Sequence, residues 1–227
     1  MSVGLAIFVK TPGYSALKTR LAADCGQDWA TAWYQRAAHC VAAVARNCAQ
    51  TTQRITPYWA VAEPDDAAHH QWPDFTTLNQ GEGDLGARMA YVHHQLVQKH
   101  GAGLLIGADA PQLCRNWLEQ AGTWLTLEGA RQVIGPASDG GFWLYGGNRS
   151  APSTLWQSVP YSQADTGARF RHALAAYGEW LTLPDLTDVD TSADLTAMRA
   201  EMHKLPAMLP AQRALLRWTQ HSHESNA

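Results

Sequence analysis

The chain has no surplus of positive charge. Seventeen Lys and Arg against 20 Asp and Glu leave a formal net charge of −3 over 227 residues. No basic field therefore advertises nucleic acid as a partner, and phosphate binding has to come from a few local cations. Long apolar runs are also missing. No stretch approaches the roughly 20 residues that span a bilayer, so no membrane span is expected. The start, Met1 to Lys10, lacks a basic segment ahead of its short apolar run, unlike a secretory leader, and a cytoplasmic protein is expected. Cysteine is sparse. Cys25, Cys40, Cys48 and Cys114 show no CxxC spacing, which argues against a zinc site or a disulfide framework. No HExxH and no nucleophile elbow stand out, and the loop after the first strand is neither a P-loop nor GxGxxG. His69-His70 and His93-His94 are adjacent pairs whose side chains diverge on any regular element. Repeats, low-complexity segments and linkers are lacking too. One domain over residues 1–220 is expected, with a frayed tail at 221–227 that contains His221 and His223.

What is present is an alternation of strand and helix patterns. Val3–Val9 is a continuous apolar run suited to a central parallel strand. A long Ala-rich stretch from Leu17 to about Asn47 is interrupted near Cys25–Asp28, where Asp28 is a candidate N-cap. Strands are predicted near Pro57–Ala62, Gly103–Gly107, Arg131–Pro136, Gly141–Tyr145 and Trp180–Leu183. Helices are predicted at Leu85–Lys99 with Asp84 as cap, around Trp117–Trp124, over Ser162–Tyr177, near Ala193–Met202 and near Ala207–Thr219. This order implies a three-layer α/β fold around a mostly parallel sheet.

Two acidic motifs follow buried strands directly: Gly107-Ala108-Asp109-Ala110-Pro111 and Ala137-Ser138-Asp139-Gly140-Gly141. In open α/β sheets ligands sit outside the carboxyl ends of the strands. A carboxylate there suits a hard cation such as Mg²⁺ or Mn²⁺ that neutralises phosphates. Asp109 also has the alternative of capping the next helix, with Pro111 at its first turn. Asp139 and its glycines have the alternative of a plain hairpin turn. Lys10, Lys18 and Arg20 surround the loop after the first strand and fit either a phosphate cradle or a solvated basic turn. Asp188 and Asp190 precede Asp194; one suits a metal and another a helix cap. Arg88 stands one turn into a helix behind three glycines, placed for a phosphate or a base, or merely exposed. Trp143 stacks on a base or sugar, or packs in the core.

Five segments in this order resemble a bacterial family of small GT-A-type proteins described as glycosyltransferase-like or nucleotide-diphospho-sugar transferase-like. They are Phe8–Pro12 with Leu17–Leu21, Gly83–Met89, Gly107–Pro111, Gly135–Phe142 and Asp188–Thr191. In fold that family is similar to sugar-1-phosphate, molybdopterin and 2-phospholactate nucleotidyltransferases. The resemblance implies a Rossmann-like GT-A fold and a metal-dependent transferase that uses a nucleotide-activated donor. By it, Asp109 and Asp190 are the ligands of Mg²⁺ or Mn²⁺, and Asp109 and Asp139 the catalytic carboxylates. Lys10, Lys18, Arg20 and Arg88 meet the nucleotide phosphates, and Gly140, Gly141 and Trp143 line the side of an unknown small-molecule acceptor. Tyr14 and Ser15 stand where the family carries a further Pro and Gly, and the Leu-Ala-Ala-Gly signature of true nucleotidyltransferases is missing after strand one. That favours transfer from a nucleotide sugar. Nucleotidyl transfer from an NTP to a phosphorylated acceptor is the alternative enzyme, and a non-catalytic nucleotide-binding protein the alternative outside enzymes.

Overall fold

The structure, a computed structural model, describes residues 1–224 and the side chains of residues 1–220. Its centre is a sheet of seven strands: β1 Val3–Val9, β2 Ile55–Val61, β3 Thr76–Asn79, β4 Gly103–Gly107, β5 Arg131–Pro136, β6 Phe142–Gly147 and β7 Glu179–Thr182. They lie in the order β3-β2-β1-β4-β6-β5-β7. Every pairing is parallel except those of β6, which runs antiparallel to β4 and β5. The carboxyl ends of the six co-directional strands therefore share one edge of the sheet.

Period-two burial sorts the strand side chains between two apolar layers. Val3, Leu5, Ile7 and Val9 of β1, with Leu104 and Ile106 of β4, face one core. Ala6 and Leu105 face the other. The first core is covered by α1 Thr19–Cys25, α2 Gln27–Thr52, α5 Arg115–Leu125, α8 Asp194–His203 and α9 Pro210–Glu224. The second is covered by α4 Leu85–His100, α6 Ser153–Gln157 and α7 Thr166–Ala173. A single turn, α3 Asp66–His69, follows β2. The expected three-layer α/β architecture with a mostly parallel sheet is what forms.

Several boundaries differ from the sequence reading, each for a local reason. Gly26, not Asp28, caps α2, because its φ of 86° lets the chain turn sharply out of α1. Asp28 sits in the first turn instead. The helix expected over 162–177 is split into α7 and a 3₁₀ turn at Ala175–Tyr177. The last helix reaches Glu224, past the point where a tail was expected, and 225–227 lie outside the described residues. The side chains of His221 and His223 lie outside them as well. Among the described residues no helix is long and apolar enough to cross a membrane.

Candidate functional site

Strand order brings together what the sequence keeps apart. β1 pairs with β4, so the loop after β1 and the turn after β4 emerge side by side. The segment after β7 folds back over the same edge, where Ser138 N donates to Leu186 O at 3.0 Å and Ala137 bridges Leu186. At that convergence Lys18 Nζ lies 2.8 Å from Asp109 Oδ2, 3.2 Å from Asp188 Oδ1 and 3.3 Å from Asp190 Oδ1. Arg20 reaches the other oxygen of Asp190 at 3.1 Å from the solvent side. Asp188 and Asp190, two apart in an extended segment, aim the same way.

The electrostatics follow from this packing. The Lys18 side chain is only 8% exposed. Burial opposes its charge, but Asp109, Asp188 and Asp190 outweigh burial and hold the ammonium above its ordinary pKa. Burial likewise opposes the charge of Asp109, yet Lys18 keeps that carboxyl below its usual value. Asp188 is less favoured. Burial and the neighbouring Asp109 charge push it up to about 7, against the pull of Lys18. Three carboxylates against Lys18 and Arg20 leave an excess of negative charge.

Each carboxylate is held by its surroundings. A Cβ at Gly107 would stand 2.6 Å from Asp109 Oδ1, so glycine there makes room for that carboxylate. Glu201 accepts from Thr187 N and, at 2.6 Å, from Thr187 Oγ1, which fixes the residue before Asp188. Gln112 donates to Thr187 O at 2.6 Å from the turn beyond Asp109. Asp194 Oδ2 accepts from Asp190 N and Thr191 N. Gln212 of α9 donates to Pro111 O and Leu113 O, and so holds the Asp109 turn from the far side.

The helix-cap alternatives fall away. α5 begins at Arg115 with Cys114 as its cap, so Asp109 and Pro111 lie before the helix rather than at its start. The carboxylate of Asp190 is spent on Lys18 and Arg20. Lys18 is no solvated turn residue, whereas Lys10 is exposed and its backbone N donates to Tyr34 Oη at 3.0 Å. Arg88 is tied to the backbone at Gly83 O and Ala62 O, linking the glycine-rich turn to the end of β2.

The proposed acceptor side is corrected in part. Trp143 is 7% exposed, donates to Pro184 O and packs against Trp117; it is core, because its position on β6 points it under the sheet. Gly140 has φ 88°, and a Cβ there would fall 1.8 Å from Ala164 O. Its carbonyl accepts from Gly167 N at 2.8 Å. Close backbone packing before α7 thus accounts for Gly140 without a ligand, whereas a Cβ at Gly141 would stand 3.1 Å from Asp139 Oδ1. Asp139 is exposed on the same sheet edge, and its Oδ1 accepts from Gly141 N.

Glu63, which the sequence reading passed over, belongs to the site. It is 8% exposed at the end of β2. Both its oxygens accept from Thr11 N at 3.1 Å, and one accepts from Ser15 Oγ at 2.5 Å. The signal was available: like Asp109, it is a carboxylate directly after an apolar run.

The donor set around Lys18 is all oxygen, the chemistry of Mg²⁺ and Mn²⁺, and the ammonium is itself a cation at its centre. Among the described residues no three acidic, His or Cys side chains are disposed to hold a metal by themselves. Mg²⁺ commonly takes one or two carboxylates and completes its shell from phosphates and water. Two of these carboxylates fit that role together with a phosphorylated ligand.

Residues 40–163 match the sequence profile of a family described as uncharacterized protein conserved in bacteria (DUF2064). No curated protein sequence matches significantly. Among solved structures the chain is similar to a Desulfovibrio desulfuricans G20 protein provisionally described as a nucleotide-diphospho-sugar transferase. The two share 24% identity over 99% of this chain and 98% of that one, with a TM-score of 0.83. It is also similar to 4-diphosphocytidyl-2C-methyl-D-erythritol synthase from Anaerococcus prevotii DSM 20548, at 8% identity, 89% and 99% coverage and a TM-score of 0.54. A nucleotidyl transferase from Methanothermobacter thermautotrophicus matches at 9% identity, 89% and 98% coverage and a TM-score of 0.53. At these identities the likeness is one of fold.

Proposed function

The chain belongs to the bacterial DUF2064 family, and we propose that it is a transferase acting on a nucleotide-activated donor at the Lys18 site. The observation that carries this reading is the meeting of Asp109, Asp188 and Asp190 on Lys18 at the carboxyl edge of the sheet, where open α/β sheets take their ligands. The shared fold with nucleotide-sugar and nucleotidyl transferases supports it.

In this reading Asp109 and Asp190 hold Mg²⁺ or Mn²⁺. The ion, when bound, supplies charge stabilisation for the phosphate oxygens. Lys10 and Arg20, exposed beside the cluster, bind and orient the phosphates, Arg20 through its planar fork. Glu63 fixes the loop between Lys10 and Lys18, and Arg88 fixes the neighbouring glycine turn. Asp139 faces the acceptor from the hairpin after β5. Transfer of the sugar from a nucleotide sugar is the first reading. Nucleotidyl transfer is a second, favoured by the fold shared with two proteins named for that chemistry.

A thermal-shift series of UDP-, GDP-, CDP- and ADP-sugars and of NTPs, with and without Mn²⁺, tests the proposal. A ligand at about 100 times its dissociation constant stabilises by about 2.7 kcal/mol. Absence of any metal-dependent shift across the series rejects the reading. For a ligand that does shift, release of nucleoside diphosphate marks glycosyl transfer and release of pyrophosphate marks nucleotidyl transfer.

A further inference from the structure

Lys18 has no hydrogen-bond donor to spare. An ammonium carries three donors, and three carboxylates stand within 3.3 Å of this one. The residue reaches them from a left-handed backbone, φ 41° and ψ 50°, a conformation uncommon outside glycine. Its Nζ lies 5.9 Å from the centroid of the Trp33 ring, and the side chain is 8% exposed. As it stands Lys18 cannot serve a phosphate without giving up a carboxylate.

A cation held by the same carboxylates faces the same conflict from the other side. Mg²⁺ sits about 2.0–2.1 Å from its oxygens, whereas these oxygens surround Nζ at 2.8–3.3 Å. An ion at that point requires the carboxylates to close in by about 1 Å, and the ammonium has to leave first. Asp190 does not lose its only partner when that happens, because Arg20 holds its second oxygen from outside.

We propose that Lys18 is an exchangeable internal counter-ion. Its ammonium gathers Asp109, Asp188 and Asp190 before a divalent cation arrives, and it swings out to the ligand's phosphate oxygens when the cation takes its place. This inference rests on the reading of Asp109 and Asp190 as cation ligands. It assigns Lys18 two alternating partners in place of a fixed role in either the ion cluster or the phosphate cradle.

The test reads lysine accessibility in the wild-type protein. The chain has four lysines, Lys10, Lys18, Lys99 and Lys204, so reductive methylation followed by peptide mass spectrometry resolves Lys18 against internal controls. Without metal, Lys18 is expected to react at least tenfold more slowly than exposed Lys10. Saturating Mg²⁺ alone is expected to raise its rate severalfold while the other three stay constant, and Mg²⁺ with inorganic pyrophosphate to restore protection. A second arm titrates Mn²⁺ alone into Lys18→Met by calorimetry, with at least tenfold tighter binding than wild type expected. Cation binding that leaves Lys18 protected, or a Lys18→Met affinity no better than wild type, overturns the exchange and leaves the cation site standing. Absence of any Mg²⁺ or Mn²⁺ binding, with or without pyrophosphate, overturns both. If Lys18→Met does not fold, the methylation arm decides alone.

Discussion

Both carboxylate oxygens of Glu63 accept from the Thr11 amide at 3.1 Å, and so the end of β2 holds the first turn beyond β1. Thr11 is fully buried, and its N–H has no water to turn to. Glu63→Ala is expected to destabilise the apo protein by about 2 kcal/mol, the cost of an orphaned buried donor to a charged partner. The loop that carries Lys10 and Lys18 loosens at the same time, so nucleotide affinity should fall further than the loss of stability accounts for. Chemical denaturation and nucleotide titration of the same variant check this. Affinity that is unchanged once the protein is folded would confine Glu63 to stability.

Asp109→Asn keeps the shape of the side chain and removes the nearest negative partner of Lys18. Metal-dependent nucleotide binding is expected to disappear while the fold persists, since Asp188 and Asp190 still compensate the ammonium. Calorimetric titration with Mn²⁺ present is the measurement. Undiminished affinity would take Asp109 out of the cation site.

Arg20 is 72% exposed where it meets Asp190, and exposed ion pairs contribute at most about 1 kcal/mol. Arg20→Ala should therefore barely move the apo melting temperature. It should weaken diphosphate ligands far more than monophosphates or free nucleosides, because the fork recognises phosphate and not base. Equal weakening of all three ligand classes would mean that Arg20 acts through the loop's shape.

Two groups, the half-buried Asp188 and the buried His93, give stability opposite dependences on pH. The Asp188 carboxyl is raised to about 7, so its contribution is full below the ordinary carboxylate value and is lost as pH rises through about 7. His93, 1% exposed and bonded to Gly147 O, is lowered to about 4 by burial. Its contribution is full above the ordinary histidine value and is lost as pH falls towards 4. In the wild type the two slopes offset each other between about pH 4 and 6.5. Asp188→Asn leaves only the histidine slope, so its stability relative to wild type should rise steadily with pH over that interval. Parallel stability curves for the two proteins would contradict the raised Asp188 value.

Gly140→Ala tests whether that glycine is structural. With φ at 88° and a backbone oxygen 1.8 Å from the added Cβ, the variant is expected to lose more than about 2 kcal/mol of stability. The nucleotide affinity of the fraction that remains folded should be unchanged. A selective loss of affinity at normal stability would return Gly140 to the acceptor side.

The strands with strong apolar runs, β1, β4 and β5, were legible from sequence because central strands are buried on both faces. β3 was not. Its Thr76–Asn79 is a short edge strand whose only apolar residue is Leu78. α6 escaped for a similar reason, since five residues bury only Trp156 on that element. Asp109 could be named in advance because an acid after an apolar run is conspicuous, and Asp190 through the family resemblance, whereas Glu63 was passed over. The common partner of Asp109 and Asp190 could not. Lys18 meets Asp109, Asp188 and Asp190 only through the strand order, and nothing local to any of the four residues encodes that order. Glu201 left no signal, being one acid among the polar residues of α8. Trp143 was ambiguous because an aromatic after a glycine turn suits a ligand platform and a core equally until its register on β6 is known.

The bonds from Gln212 to Pro111 O and Leu113 O, and from Glu201 to Thr187, reach back from the last two helices to the turns that carry Asp109 and Asp188. The loop that presents Lys18 and the turn that presents Asp109 leave the ribosome before Glu201 and Gln212, the groups that lock the acidic turns in place. A partly made chain can thus assemble β1, β2 and β4 without owning a finished site. The order of translation thus sets the sheet before the helices that hold its acidic turns.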